Sequence, residues 1–280
     1  MGIGDDCAVL EPAAGSLLLA TTDLLIEDVH FRRRWATPMD IGWKSLAVNL
    51  SDIAAMGGRP RWGLIALACP EAVTVDDAEA FYSGRPGPRS RARRRDRRWG
   101  HVGVPGGWII NVTLLGEAVH APSQVDRARR RHHRGHRFAR ALRGRPGTPG
   151  GHSRARRYRG RGARDVTAAH LRPRPRTREG QWLSEAGGVT SMMDLSDGLA
   201  TDLGHLCEES GTGARVDLGR VPLEPSVYVV ARALDRDALA WATGEEKTTS
   251  FCSPPRPTRS IAWPAASRDR PGRSSLRWVT

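Results

Sequence analysis

Between residues 1 and 84, apolar positions recur in short runs and at helical spacings that predict alternating strands and helices. Cys7–Leu10 and Leu17–Thr22 are apolar runs bounded by Gly, Asp or Pro, with the length and flanks of buried strands. Asp40 is placed to cap a helix running to about Met56, because Leu46, Leu50 and Ile53 fall on one face and Gly57-Gly58 supplies a stop. Leu64–Cys69 predicts a further strand, followed by a helix from about Val75 through Phe81 and Tyr82. Trp108–Val119, WIINVTLLGEAV, again has strand character. Patterned text resumes at VTAAHLRPRPR. Further on, Leu199, Leu203 and Leu206 mark a helix face, Gly211 a stop and Ala214–Leu218 a strand. The alternation of the two element types predicts an α/β chain.

Three stretches break this pattern. GRPGPRSRARRRDRRWG, from about 85 to 103, has neither helical nor strand periodicity, and 122–165 is similarly rich in Arg, Gly and His without core-forming positions. The third break follows Glu246. TTSFCS at 248–253 can be encoded by ACT-ACG-AGC-TTC-TGC-TCN, and the same bases displaced by two nucleotides read Tyr-Glu-Leu-Leu-Leu, a buried-strand sequence. Arg-rich, Lys-poor, Gly/Pro-rich text is what a GC-rich gene gives when read out of frame. The expectation is therefore that about 85–103, 122–165 and 247–280 are frame-shifted translations, the alternative being genuine Arg-rich insertions.

Composition sharpens this view. The formal charge of +14 on 280 residues resembles that of a nucleic-acid binder, but residues 85–165 hold 23 Arg against 4 acids, and the remainder is mildly acidic. Lys44 and Lys247 are the only lysines, and no GxxxxGK[ST] motif exists, so a P-loop kinase is excluded. Cys7, Cys69, Cys207 and Cys252 form no CxxC pair, which argues against a zinc ribbon or a disulfide framework and makes a reduced cytoplasm the expected compartment. No 18-residue apolar run predicts a membrane span, and MGIGDDCAVL lacks the features of a signal peptide.

The patterned text places carboxylates at loops and strand ends: Asp5 and Asp6 in GIGDD, Asp23 in TTD, Asp52 in NLSD, Asp194 and Asp197 in DLSDG. Any one of these serves equally well as a cap or turn residue. Four such clusters on one chain fit hard cations such as Mg²⁺, which take carboxylate and phosphate oxygens together and offset the repulsion between ATP and an anionic acceptor. DLSDG leading into a helix adds Ser196 and the first helical N–H groups at the positive end of a helix dipole, a place for phosphate or simply an N-cap.

GIGDDCAVL, TTDLLIEDVHF, DIGWKSLAVNLSDIAAMGGRP and MMDLSDGLATDLGHLCEESGTGAR together resemble the thiamine-monophosphate kinase family of the AIR synthase-like, or PurM-like, superfamily. The resemblance implies a PurM-like N-terminal α/β domain, here 1–121, followed by a PurM-like C-terminal α+β domain, here 166–246, with the aberrant 122–165 between them and the aberrant tail 247–280 after them. It implies phosphorylation of thiamine monophosphate by ATP to give thiamine diphosphate and ADP, with Mg²⁺ and in many members K⁺, in a homodimer. Carried over by position, it makes Asp6, Thr22, Asp23, Asp52, Asp194 and Asp197 magnesium ligands, with Thr21 a neighbour. His30 matches a substrate-contacting position, and otherwise reads as an ordinary strand-end histidine. Tyr82 matches a nucleotide-contacting aromatic, and otherwise reads as a helix-face core residue; Ser196 matches an ATP contact. Glu245, at the start of the altered tail, stands near the expected thiamine site. The implied mechanism is in-line transfer of the γ-phosphoryl group, with no covalent enzyme intermediate and no general base.

The departures from the family pattern bear on activity. Where a GGDT segment with a further metal ligand is expected before the strand at 108, the chain has RRWGHVGV. A Gly-rich segment with an ATP-contacting Arg is expected between 122 and 165, and GGEDYEL is expected where GEEKTTS stands. The family also has a helical stretch before GIGDD, which makes the chain read as N-terminally truncated. The chain as written is therefore expected to be poorly folded and inactive, and Mg-ATP-dependent formation of thiamine diphosphate would contradict that. Two alternatives remain: another AIR synthase-like ATP-dependent enzyme, and an Arg-rich nucleic-acid binder. The second is disfavoured because Trp99, Phe138 and Tyr158 are the only aromatics in the basic runs available for base stacking.

Overall fold

Strand β1 (Leu17–Ile26) owes its form to alternation: Leu19, Thr21, Asp23 and Leu25 turn to one face, and the more exposed Leu18, Ala20, Thr22 and Leu24 to the other. It belongs to a computed structural model that describes residues 9–84, 102–103, 106–119, 161–186, 189, 191–210 and 213–243. The chain divides into two compact units, Met1–Ala121 with Ala169–Glu185, and Pro122–Ala168 with Ala186–Thr280.

The first unit is built on a four-stranded sheet. After β1 come helix α1 (Pro38–Ala55), β2 (Arg59–Cys69), α2 (Val75–Ser83), a two-residue β3 (Val102–Gly103) and β4 (Ile109–Ala118). The strand order is β1-β4-β2-β3, so β4 lies between β1 and β2 and is antiparallel to both, while β3 is parallel to β2. The register sets Thr21 opposite Leu114, Thr22 opposite Thr113 and Asp23 opposite Val112. Because side chains alternate with a period of two, this register decides which of the two threonines shares the face of α1.

Helix α1 covers one sheet face. Its Leu50 and Ile53 pack with Leu114, and Leu19 and Leu46 border them. Toward the other end of the sheet Phe81, Trp108, Ile110 and Val112 are fully buried, each 0% exposed, beside Leu25, Phe31 and Ile41. The Phe81 ring meets Trp108 edge-on with centroids 5.8 Å apart. Burying each of these large side chains contributes about 1.5–3 kcal/mol, which makes this cluster the main support of the unit.

Both helices start on capping boxes. The N-cap of α1 is Thr37, whose hydroxyl accepts from the Asp40 N–H at 3.2 Å while the Asp40 carboxylate accepts from the Thr37 N–H at 3.0 Å. Asp40 is thus the reciprocal partner three residues in, not the cap itself, and Pro38 fits the first turn because no N–H is required there. Thr74 and Asp77 repeat the arrangement on α2. Gly42 lets the two helices touch: a Cβ there would lie 1.9 Å from the Phe81 carbonyl oxygen.

The remaining described elements are helical. They are α3 (Arg161–Leu171), α4 (Thr177–Glu185), α5 (Leu199–Ser210), a 3-10 turn (Leu218–Arg220), α6 (Pro225–Ala233) and α7 (Ala238–Thr243). Although 166–246 reads as one domain in sequence, Ala169–Glu185 groups with the first unit. Helix α4 lies against α1, where a Cβ on Gly180 would meet the Ala54 carbonyl at 2.2 Å and the Gln181 side chain donates to the Gly58 carbonyl at 3.0 Å.

Two expected strands do not form among the described residues. Val9 and Leu10 are not in a strand, and Cys7 and Ala8 lie outside the described residues. Ala214–Asp217 carries no ladder hydrogen bonds and leads into the 3-10 turn, where the Asp217 side chain accepts from the Gly219 N–H at 3.1 Å. A strand needs a neighbour to satisfy its N–H and C=O groups, and among the described residues of the second unit there is none. No helix among the described residues is long and apolar enough to cross a membrane.

Candidate metal and nucleotide site

On the helix-covered face of the sheet, β1 and α1 bring three polar side chains together. The Thr21 hydroxyl donates to Oδ2 of Asp52, which projects from the last turn but one of α1, and the Asp23 charge acts on the same carboxylate. Burial pushes the Asp52 carboxyl above its ordinary range; the Thr21 hydrogen bond partly opposes this, and the Asp23 charge adds to it. Two carboxylates that raise one another's cost of ionisation, with a hydroxyl beside them, are a donor set that a divalent cation relieves. Mg²⁺ commonly binds through one or two carboxylates and completes its shell with water and substrate phosphate, so Thr21, Asp23 and Asp52 fit it chemically.

Thr22 is placed differently from the expected ligand set. Its hydroxyl lies on the open face, 3.1 Å from the Thr113 hydroxyl and accepting from the Asn111 amide at 3.0 Å. Asn111 also donates to the Asp23 carbonyl at 3.3 Å. Thr21 therefore supplies the hydroxyl on the face of Asp52, and Thr22 does not.

His30 follows β1, and its Nδ1 accepts from the Ile26 N–H at 3.0 Å, which fixes that nitrogen as the unprotonated one and leaves Nε2 as the outward donor. Lys44, one turn into α1, donates to the His30 carbonyl at 3.1 Å and lies 3.3 Å from Nε2 of His170. Burial lowers the Lys44 ammonium pKa, and burial together with the Lys44 charge lowers that of His170. A neutral His170 accepting from Lys44 reconciles the two. Nearby, Trp43 Nε1 donates to the Pro173 carbonyl at 2.8 Å, and Arg172 pairs with Asp40 at 2.5 Å, so the HLRP segment is fastened to α1 beside His30. Tyr82 is half-buried and sits edge-on to Phe81, with centroids 5.0 Å apart, in the core-residue role its helix position also allows.

In the second unit, Asp194, Ser196 and Asp197 lie in the loop that leads into α5, with Ser196 and Asp197 exposed and Asp194 half-buried. Three backbone N–H groups of this loop, immediately before α5, are already engaged. Oδ2 of Asp202, a buried residue of the first turn of α5, accepts from the N–H of Ser196 at 2.8 Å, Asp197 at 3.0 Å and Gly198 at 3.3 Å. Asp6 and Glu245 lie outside the described residues, as do the stretches around 85–101 and 120–160. Among the described residues no three His, Cys, Asp or Glu side chains gather as a metal cage, so the pair Asp23 and Asp52 is the part of the expected ligand set brought together there.

Sequence reading weighed Thr21 only as a neighbour of the ligands and left out Lys44, His170 and Asp202 as site residues. Lys44 carried a local signal, being one of only two lysines. Asp202 carried another, lying four residues after Gly198 in DGLATD, within reach of its own helix start.

An α/β sheet domain with paired carboxylates beneath its first strand, followed by a DLSDG loop at a helix start, defines a class. The chain matches the AIR synthase related proteins, the N-terminal domain over residues 4–85 and the C-terminal domain over 150–245. Within that class, the thiamine-monophosphate kinase of Salmonella typhimurium is 34% identical over 90% of this chain and 76% of its own length. The solved structure described as AaThiL complexed with AMPPCP and TMP superposes with a TM-score of 0.63 at 29% identity, covering 86% of this chain and 75% of that one. Thiamine-monophosphate kinase from Stenotrophomonas maltophilia K279a gives a TM-score of 0.63 at 30% identity, over 87% and 76%. The chain belongs to the thiamine-monophosphate kinase family.

Proposed function

We propose that this chain carries out the ATP-dependent phosphorylation of thiamine monophosphate to thiamine diphosphate, with turnover impaired by the altered stretches rather than abolished, as the sequence alone would have it. The observation that carries this is the Thr21–Asp52–Asp23 cluster under β1 in a chain so similar to the Salmonella kinase. Asp23 and Asp52 would hold Mg²⁺, which when bound neutralises phosphate charge. Thr21 keeps Asp52 turned toward β1, and His30 presents Nε2 to the acceptor. The terminal phosphate of thiamine monophosphate is already ionised, so its oxygen can attack the γ-phosphorus in line while ADP leaves. No side chain has to remove a proton, and catalysis is positioning and charge compensation. Asp194, Ser196 and Asp197 are assigned to the nucleotide and its metal ions, Asp6 to the metal set, Tyr82 to the nucleotide and Glu245 to the thiamine end; K⁺ is a further expected ion.

The chain is also proposed to work as a homodimer. The sheet face away from α1 exposes Leu18, Leu24, Leu64 and Ile109 at 54%, 46%, 57% and 37%, around the Thr22–Thr113–Asn111 hydrogen bonds. A face so apolar is a natural surface for a second copy. Light scattering should give twice the chain mass, reduced to the chain mass by Leu64→Arg. Among the described residues Cys69 is a free, buried thiol, in keeping with a cytoplasmic location.

The test is product formation from thiamine monophosphate, ATP and Mg²⁺, followed by chromatography. The reading expects thiamine diphosphate that requires Mg²⁺, formed at least about tenfold more slowly than by the Salmonella relative. Transfer to a different acceptor, or no product and no Mg-ATP binding, would contradict it.

A further inference from the structure

Asp202 is 4% exposed, and its carboxylate is held inside by backbone hydrogen bonds. What it does is gather three consecutive backbone N–H groups, those of Ser196, Asp197 and Gly198, onto a single carboxylate oxygen at 2.8, 3.0 and 3.3 Å. Hydrogen bonds to an ionised acceptor are about twice as strong as neutral ones, and three on one oxygen fix the path of the chain between them. That path is unusual: Gly198 has φ +116, a region that side chains other than glycine rarely enter, and it is this turn that points its N–H back toward Asp202. The Asp202 N–H in turn donates to the Gly198 carbonyl at 3.0 Å, closing the first turn of α5 over the same loop.

We propose that Asp202 is the positioning residue of the DLSDG loop, holding the backbone of Ser196–Gly198 so that the Ser196 hydroxyl and the Asp197 carboxylate are presented outward for the metal-bound nucleotide. This rests on the kinase reading for the identity of the ligand. It changes how that ligand is recognised. A helix start normally offers its N–H groups to a phosphate, and here a carboxylate of the chain occupies the three loop amides just before it, those of Ser196, Asp197 and Gly198. The loop itself therefore engages the nucleotide through side chains and a cation rather than through those three amides, and its affinity for nucleotide depends on Mg²⁺.

The test compares wild type, Asp202→Asn and Asp202→Ala by hydrogen exchange and by Mg-ATP titration. The Asn amide oxygen can still accept, so Asp202→Asn should keep exchange protection at Ser196–Gly198 and Mg-ATP affinity within about threefold of wild type. Asp202→Ala should lose about tenfold or more in both, while exchange at Ile110 and Val112 in the first unit stays unchanged as an internal control. Rescue by Asn separates positioning from general damage, since a role in charge alone would fail in both variants. Equal protection in Asp202→Ala and wild type overturns the proposal, as does equal loss in both variants. If wild type binds no Mg-ATP, the kinase reading fails on that result alone. Exchange then decides whether Asp202 organises the loop: lost protection in Asp202→Ala upholds it, and unchanged protection overturns it.

Discussion

The first unit holds a hydrogen-bonded sheet with four large side chains wholly buried against it, whereas the described residues of the second unit are helices and connecting loops. In the second unit the core residues, Leu199, Leu206, Cys207, Val230 and Ala231, include no aromatic ring, and each keeps some exposure. The difference follows from where each element finds its hydrogen-bond partners. A helix satisfies its backbone within a few residues of text, so LATDLGHLCEES forms one whatever lies beyond it. A strand depends on a distant segment: β1 pairs with β4 about ninety residues on, and both survive because WIINVTLLGEA stands between two pattern breaks. Ala214–Asp217 has strand-forming text but no described neighbour, and it is not a strand.

Several substitutions would break or sharpen this contrast. Trp108→Ala removes a fully buried indole from the sheet unit and should cost about 3–5 kcal/mol, comparable with the lower end of a domain's stability, whereas Val230→Ala in α6 should cost about 1–2 kcal/mol. Denaturant titration of both variants checks this, and equal losses would remove the distinction.

Within the first unit, the two faces of β1 should respond unequally. Asp52→Asn should lower Mg²⁺-dependent transfer by about 100-fold or more, and Thr21→Ala by about tenfold, while Thr22→Ala on the open face should change kcat less than twofold. Steady-state kinetics at saturating Mg²⁺ measure all three, and a Thr22 effect exceeding that of Thr21 would reverse the face assignment.

Acid should loosen the fastening of His170. Because its folded pKa lies below the ordinary 6.5, the contribution of its neutral form is present above that value and is lost as the pH falls through it. The melting temperature should therefore fall by a few degrees between about pH 7 and 5, and His170→Leu should flatten that part of the profile. The smallest effect concerns Asp52, whose raised pKa has the opposite sense: stability is lost as the pH rises from the ordinary 3.8 through the folded value. At neutral pH without metal, Asp52→Asn should melt about 1–2 °C higher than wild type, even though it transfers less phosphate.

Much of the first unit could be read from the chain because its determinants are local. Helices α1 and α2 announce themselves through Thr37-Pro38 and Thr74, with Asp40 and Asp77 three residues after the caps, although Asp40 reads as the cap until the geometry of Thr37 is seen. The carboxylates of TTD and NLSD could be marked as candidate ligands, but the choice between Thr21 and Thr22 could not be made from spacing. It depends on the pairing of β1 with β4, where a shift of one residue exchanges the faces. His170 meets Lys44 across 126 residues of sequence, and no local pattern encodes that contact. In DLSDG the helix start is legible and the loop before it is not, since it is the short Asp202 side chain that reaches back to the Ser196 N–H.

The most direct test of the proposed kinase site is a Mn²⁺ titration followed by electron paramagnetic resonance, with wild type and Asp52→Asn at neutral pH. The account predicts Mn²⁺ bound by wild type, displaced by Mg²⁺ and weakened at least about tenfold by Asp52→Asn. Binding that is indifferent to Asp52, or no binding by wild type, would contradict it.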